Sequence, residues 1–360
     1  MFGVKTPGKA SGLLITAGAA TLLLAACGSS SSGGSSASAS ASASESASAS
    51  ESASSSASAA CDVTGKKVAF VMGAESDPFF QAMKLGAEAE AKAKGMELIW
   101  QGDAKEYSPA TQIPVVDQVL AQKPDALVLI PTDPKALQPS VAKAKAAGVI
   151  VANVDTRVED LTDVLTFVTG DNADGGAQAA DAIAAKIGYQ DGQKYKVVVG
   201  LTSETATTNV GRLEGFKAQV AAKYPGIEIV DVAYSQAKPE VANTNVNNWL
   251  TKYPDLNGIF AIDGSNAQGA AAALQAKGLT GKIALVGYDA YPDNVKLVKS
   301  GVFTALIAQV PAEEAKLAID SVADALCGNT AGIEKEVVIP NFTIDANTSE
   351  ADLQKYTYVA

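Results

Sequence analysis

Two aspartates close runs of apolar residues in this chain. Asp155 ends Val149-Ile150-Val151-Ala152-Asn153-Val154, and Asp289 ends Ile283-Ala284-Leu285-Val286-Gly287-Tyr288. A carboxylate at the end of a buried strand is costly unless it meets a partner, so each is a candidate to hold donors brought from outside the chain. Asp263 follows a similar run, 258–262, and equally suits the cap of a helix beginning after it. Asp263 with Asp289 also has the composition of a glycoside hydrolase pair, which requires two carboxyls about 5–10 Å apart. The chain contains no histidine, which removes Ser-His-Asp and Cys-His nucleophile systems and His-ligated zinc. The stretch 264–269 begins and ends in glycine, but Ala270 stands where a phosphate loop needs lysine. Arg212 lies in a helical stretch and reads as a surface ion pair or as a binding cation.

A further candidate is Asp77-Pro78-Phe79-Phe80, directly after the apolar run 68–72. Asp77 suits a helix N-cap, and Pro78 suits the first turn, where its missing N–H costs nothing. Phe79 and Phe80 then stand at the carboxyl end of a strand, about 100° apart around the helix, so that one ring faces the core and its neighbour a cleft.

The elements that must position these residues alternate short apolar strands with amphipathic helices, which implies parallel sheets covered on both faces. The first series has strands at 68–72, 97–100, 126–130 and 149–154, with helices at 78–93, 110–121 and 134–147. Gly95 and Gly148 serve as stops, and Pro114 is expected to kink the second helix or delay its start. A second series is expected to begin near 165–169. It continues with helices at 174–187, 208–223, 239–251, 267–276 and 292–299 and strands at 196–200, 227–233, 258–262, 283–287 and 302–309. A helix at 311–326 and a closing segment at 337–344 read as crossings between two similar lobes.

Ahead of the folded part, Lys5 and Lys9 precede an apolar run, 13–26, too short to span a membrane and suited to a secretory leader. It ends in Leu24-Ala25-Ala26-Cys27, which resembles a bacterial lipobox and implies diacylglycerol on Cys27. Residues 28–60 are almost all Ser, Ala and Gly. They cannot bury a core and form a tether with a mean reach of roughly 30 Å. The formal net charge of −11 argues against nucleic acid and anionic lipid as partners. With Cys27 lipidated, Cys61 and Cys327 are too few for a thiolate metal site, and outside the cytoplasm two such thiols tend to pair. No metal or cofactor is expected.

Taken in order, Asp77-Pro78-Phe79-Phe80, Pro131-Thr132-Asp133, Val154-Asp155-Thr156-Arg157, Gly170-Asp171-Asn172, Arg212-Leu213-Glu214-Gly215-Phe216, Val286-Gly287-Tyr288-Asp289 and Ala308-Gln309-Val310-Pro311 resemble the ribose-type periplasmic binding proteins. These are substrate-binding subunits of sugar ABC importers, related in fold to the ligand-binding part of LacI-type repressors. The resemblance spans nearly all of 66–344. It implies an α/β fold of two doubly wound parallel-sheet lobes joined by a three-crossing hinge, the type I or Venus-flytrap architecture. The hinge then closes on a ligand and the closed form docks on a permease with its ATPase. The crossings are expected at 169–171, 309–311 and 334–337. The domains are expected as leader 1–26, tether 27–63, one lobe at 64–169 plus 310–336, and the other at 170–309 plus 337–360. An extracytoplasmic, lipid-anchored monomer follows.

By the same resemblance Phe79 and Phe80 form an aromatic plate. Asp155 and Arg157 come from the first lobe, and Arg212, Asp263, Asp289 and Gln309 from the second lobe and hinge, with Asp77 as a hydroxyl acceptor and Asn172 at a crossing. These types suit a sugar or polyol, whose vicinal hydroxyls need two-pronged partners and whose C–H faces need an apolar plate. Two departures bear on specificity. Asp77 and Asp263 stand where ribose binders often have asparagine, and no aromatic lies nearer to 235–237 than Tyr234. Ribose itself is therefore not the expected ligand, and the acid excess suits a neutral sugar or polyol over an anion. Cys61, before the first strand, and Cys327, at the end of an antiparallel helix, are expected to bond at the lobe base. Alternatives on the same fold are a sensory lipoprotein and a binder of a nucleoside or furanosyl signal.

Overall fold

The computed structural model describes residues 61–359. The leader, Cys27 and nearly all of the tether lie outside the described residues.

The first sheet is built from β1 (Lys67–Met72), β2 (Glu97–Gly102), β3 (Ala126–Leu129), β4 (Ile150–Val154) and β5 (Phe167–Gly170), in the order β5-β4-β3-β1-β2. Every pair is parallel. Strand β1 is apolar throughout because both faces are covered. Val68, Phe70 and Met72 pack with Phe80 and Met83 of α1 (Pro78–Ala93), while Ala69 and Val71 pack with Val116 and Val119 of α2 (Pro109–Ala121). Helix α3 (Gln138–Ala146) joins that second face through Val141 and Ala144.

The second sheet repeats the plan with β6 (Tyr195–Leu201), β7 (Ile227–Tyr234), β8 (Leu256–Ala261), β9 (Ala284–Tyr288) and β10 (Ala305–Ala308), in the order β10-β9-β8-β6-β7. Its helices are α4 (Asn172–Ile187), α5 (Thr207–Lys223), α6 (Pro239–Lys252), α7 (Gly264–Ala276) and α8 (Pro292–Lys299). Helices α4 and α5 touch backbone to backbone. A Cβ at Gly176 would lie 2.0 Å from the Arg212 carbonyl oxygen, and one at Gly215 would lie 2.0 Å from that of Ala173. Only glycine permits that approach, and it fixes where Arg212 leaves α5.

Helix α9 (Pro311–Leu326) returns to the first lobe, placing Ala315, Ala318, Ile319 and Val322 in the core shared with α1. Cys61 and Cys327 are bonded, with Cα atoms 5.6 Å apart. The bond ties the chain before β1 to the end of α9, at the strand ends opposite the cleft.

The sequence expectations need correction in four places. Segment 165–169 does not begin the second sheet: β5 pairs with β4 in the first. The closing segment, expected as a crossing, contributes a strand to each sheet. Strand β11 (Glu336–Ile339) extends the first sheet beside β5, and β12 (Phe342–Ile344) runs antiparallel to β10 in the second. The third crossing therefore falls at Pro340 and Asn341 rather than at 334–337, and residues 337–339 belong to the first sheet. Helix α3 starts four residues later than expected, because Asp133 accepts from the N–H groups of Lys135 and Ala136 and holds that segment as turns. Pro114 does not delay α2, whose start is set by Ser108 accepting from the Ala110 N–H. Helix α10 (Glu350–Tyr356) closes the chain, with Tyr356 stacked on Phe342 at 4.2 Å.

Candidate functional site

Both sheets aim the carboxyl ends of their strands at one cavity of about 50 Å³ between the lobes. Eight residues expected from the sequence line it: Asp77, Phe79, Phe80, Asp155, Arg212, Asp263, Asp289 and Gln309. Tyr107, Thr202, Thr208, Asn209, Ala237 and Tyr291 complete the wall.

From the first lobe, Asp77 caps α1 by accepting from the Phe79 N–H at 2.9 Å. The two rings meet edge to face at 5.3 Å, and Phe79 also lies against Tyr358, 6.0 Å away. Asp155 follows β4 with φ of +58° and is 7% exposed. Its backbone N–H donates to Val168 and its carbonyl accepts from the Thr169 hydroxyl, but its carboxyl has no protein hydrogen-bond partner among the described residues. Burial pushes the Asp155 carboxyl up to about 7, against the pull of Arg212. Burial likewise lifts Asp77 to about 7, against its bonds to Tyr291 and Phe79.

From the second lobe, Arg212 is buried and its guanidinium carbon lies 3.7 Å from the centre of the Tyr288 ring. Its Nε donates to Asn172 Oδ1 at 2.8 Å and its Nη1 to the Ile262 carbonyl at 3.0 Å. Those contacts hold the guanidinium flat beside the cavity. Asp263 caps α7 through the Asn266 N–H and takes a second bond from the Asn266 amide; burial still leaves its carboxyl above the usual range. Asp289 is the best-tied acid. One oxygen accepts from Gln309 Nε2 at 2.8 Å and from the Tyr358 hydroxyl at 3.0 Å, the other from the Gly264 N–H at 2.9 Å.

Two expected residues are not in this wall. Arg157 turns away, its Nη1 donating to the carbonyls of Val158 and Glu159 at 3.2 and 3.3 Å. Only its backbone N–H spans the lobes, to Thr207 Oγ1. Asn172 acts one step removed, as the acceptor that orients Arg212.

Three features escaped the sequence reading. Tyr107 and Tyr291 come from loops, where no periodicity marks a facing side, and they add two aromatic rings to the cavity wall. Tyr291 had one available signal, since it precedes Pro292 at the head of α8 as Asp77 precedes Pro78 at the head of α1. The third is Glu314, in the first turn of α9, fully buried with no partner for either carboxyl oxygen among the described residues. Burial, with Asp155 adding to it, pushes its carboxyl well above the usual range.

At the rim, Lys238 of the second lobe meets Glu106 of the first at 3.1 Å. Among the described residues, no group of three His, Cys, Asp or Glu side chains is arranged to hold a metal ion.

Two doubly wound lobes, three crossings and a polar cavity at facing strand ends define a hinged solute-binding protein. The periplasmic binding protein domain family matches residues 68–330, and the chain belongs to that family, in its ribose-type branch. It is 32% identical to the D-ribose/D-allose-binding protein of Pseudomonas aeruginosa over 282 residues, 76% of this chain and 86% of that one. It is 30% identical to the xylitol-binding protein of Mycolicibacterium smegmatis, over 74% of each chain. An ABC transporter solute-binding protein from Agrobacterium vitis, solved with α-D-tagatopyranose, superposes with a TM-score of 0.77 at 31% identity, covering 82% of this chain and all of that one.

Proposed function

We propose that this chain is the extracytoplasmic solute-binding lipoprotein of a sugar ABC importer, and that it captures a neutral sugar or polyol by hinge closure. The observation that carries the reading is the convergence of Asp77, Asp155, Asp263, Asp289 and Arg212 from both lobes on one cavity walled by Phe79, Phe80 and tyrosines. Carboxyls and a guanidinium supply acceptors and donors for vicinal hydroxyls, and the rings cover C–H faces. With Arg157 turned away, Arg212 faces four aspartates, a balance that disfavours phosphorylated or carboxylate ligands in a buried site. Names of relatives agree, since ribose, allose, xylitol and tagatose all appear among them. The protein then acts by binding and delivery, not by turnover. Asp77, Asp155, Arg212, Asp263, Asp289 and Gln309 are the polar ligand contacts, and the protein works as a monomer. Cys27 carries the lipid that keeps it beside its permease.

The test is a thermal-shift screen over pentoses, hexoses, inositols and linear polyols, followed by calorimetry. A ligand of the neutral class must raise the melting temperature by mass action. No response across the panel, or a response to a sugar phosphate alone, overturns the reading. Metabolic labelling with a radioactive fatty acid, with and without a Cys27→Ala change, tests the anchor.

A further inference from the structure

Tyr291 stands at the N-cap of α8 but caps nothing, so its side chain is free to serve elsewhere. It crosses the cleft, and its hydroxyl donates to Asp77 Oδ1 of the opposite lobe. The ring lies directly over Gly264, where a Cβ would come within 2.1 Å of its Cζ, and its far side packs against Tyr358 at 5.9 Å. The residue is 2% exposed. With the ring there, the remaining space of about 50 Å³ holds about three to five waters, less than any pentose needs. The cleft as it stands is therefore too small for a sugar, and Tyr291 is one of the groups that fill it.

Resting on the sugar-binding reading, we propose that Tyr291 is a built-in stand-in for the ligand, whose hydroxyl occupies at Asp77 the position a ligand hydroxyl takes on binding. Two consequences follow. In the ligand-free protein the Tyr291 to Asp77 bond helps bring the lobes together. When a sugar binds, it exchanges one hydroxyl for another at Asp77, so the bond that closes the empty cleft subtracts from affinity. Tyr291 lowers the affinity of every ligand that displaces it by the same amount, while discrimination against ligands deoxygenated at that position comes from Asp77, which they leave unpaired.

The test uses Tyr291→Phe, which keeps the ring and deletes the competing hydroxyl. Calorimetry with D-ribose, D-allose, D-tagatose and xylitol compares it with the unaltered protein, and small-angle scattering compares the two without ligand. The expected results are tighter binding of whichever probe the unaltered protein binds, by roughly two- to tenfold, the ratio a net hydrogen bond represents, and a larger ligand-free radius of gyration. Equal or weaker binding by the variant overturns the proposal, the weaker case placing the Tyr291 hydroxyl on the ligand instead. If the unaltered protein binds none of the four and none of the wider panel, the sugar reading fails. The scattering then decides the Tyr291 contact alone: an unchanged radius overturns it, and an increase upholds its closing role.

Discussion

Asp155 and Asp289 occupy equivalent places in the two lobes. Each follows a central strand in the left-handed region, with φ of +58° and +68°. Each donates its backbone N–H to the adjacent strand, Asp155 to Val168 and Asp289 to Ile307, both at 2.8 Å. Aspartate tolerates this backbone better than most residues, and the turn swings both carboxyls into the cleft. Their surroundings then differ. Asp289 is held by three donors, two of them from the hinge and the C-terminal segment, whereas the Asp155 carboxyl meets no donor of the chain among the described residues.

That difference separates their variants. Asp289→Ala strands the Gln309 amide, the Tyr358 hydroxyl and the Gly264 N–H, so it should weaken ligand binding by about 2–4 kcal/mol and also lower the unfolding midpoint. Arg212→Ala should cost binding about as much. Asp155→Ala should weaken binding while leaving the melting temperature of the ligand-free protein unchanged or raised, because it removes a buried carboxyl with nothing to satisfy. Calorimetry and thermal melts on the three variants check this, and an Asp289→Ala protein with unaltered affinity would refute the site.

The repeating strands and helices were legible because their rules are local. Asp77, Pro78 and the apolar run before them specify a strand, a cap and a helix within a dozen residues, and α8 and α9 begin at prolines and span the expected residues. Strands β11 and β12 were not, since three or four residues at a sheet edge carry no periodicity and their pairing depends on partners distant in the chain, Phe167 for Glu336 of β11 and Leu306 for Ile344 of β12. The strand-end acids were legible from the cost of burying charge. Arg157 misled because a long side chain beside a strand end can satisfy itself on local carbonyls. Glu314 was hidden in an amphipathic helix where one acid among several looks like solvent-facing charge.

The pH response follows from Asp77 and Asp155. Both ionise near 4 in an unfolded chain, and burial in the closed cleft raises both to about 7. The closed form therefore binds more protons than the unfolded chain between those values. Its advantage is full below about 4 and is lost as the pH rises through about 7. Thermal stability of the ligand-free protein should fall across that window, and the Asp77→Asn, Asp155→Asn double variant should show a shallower slope. Melting curves from pH 4 to 8 on both proteins make the comparison; parallel slopes would remove these two groups as the cause.

The disulfide should matter to stability and not to binding. Joining Cys61 to Cys327 closes a loop with a sequence separation of 266 residues, which on the chain-entropy account contributes at most about 6 kcal/mol. Both cysteines lie at the base of the first lobe, away from the strand ends that line the cavity. Cys61→Ser with Cys327→Ser should lower the melting temperature by several degrees and leave ligand affinity within about twofold. A large affinity loss would mean that the lobe base communicates with the cleft.

Glu314 gives a sharper test of the buried charge balance than the aspartates do. It sits one turn beyond the second crossing with both oxygens unpartnered among the described residues, and burial together with Asp155 pushes its carboxyl well above the usual range, which favours the protonated form. Glutamine is then its neutral isostere. Glu314→Gln should leave stability at pH 7 nearly unchanged, within about 0.5 kcal/mol, whereas at alkaline pH the variant should be the more stable protein because it has no proton to lose. Glu314→Ala should cost more, about 1–3 kcal/mol at pH 7, through the space it empties at a fully buried position. Denaturant melts at pH 7 and pH 9 separate the outcomes. A Gln variant already destabilised by several kcal/mol at pH 7 would show that Glu314 is ionised and paired in solution, with Arg212 the cation within reach.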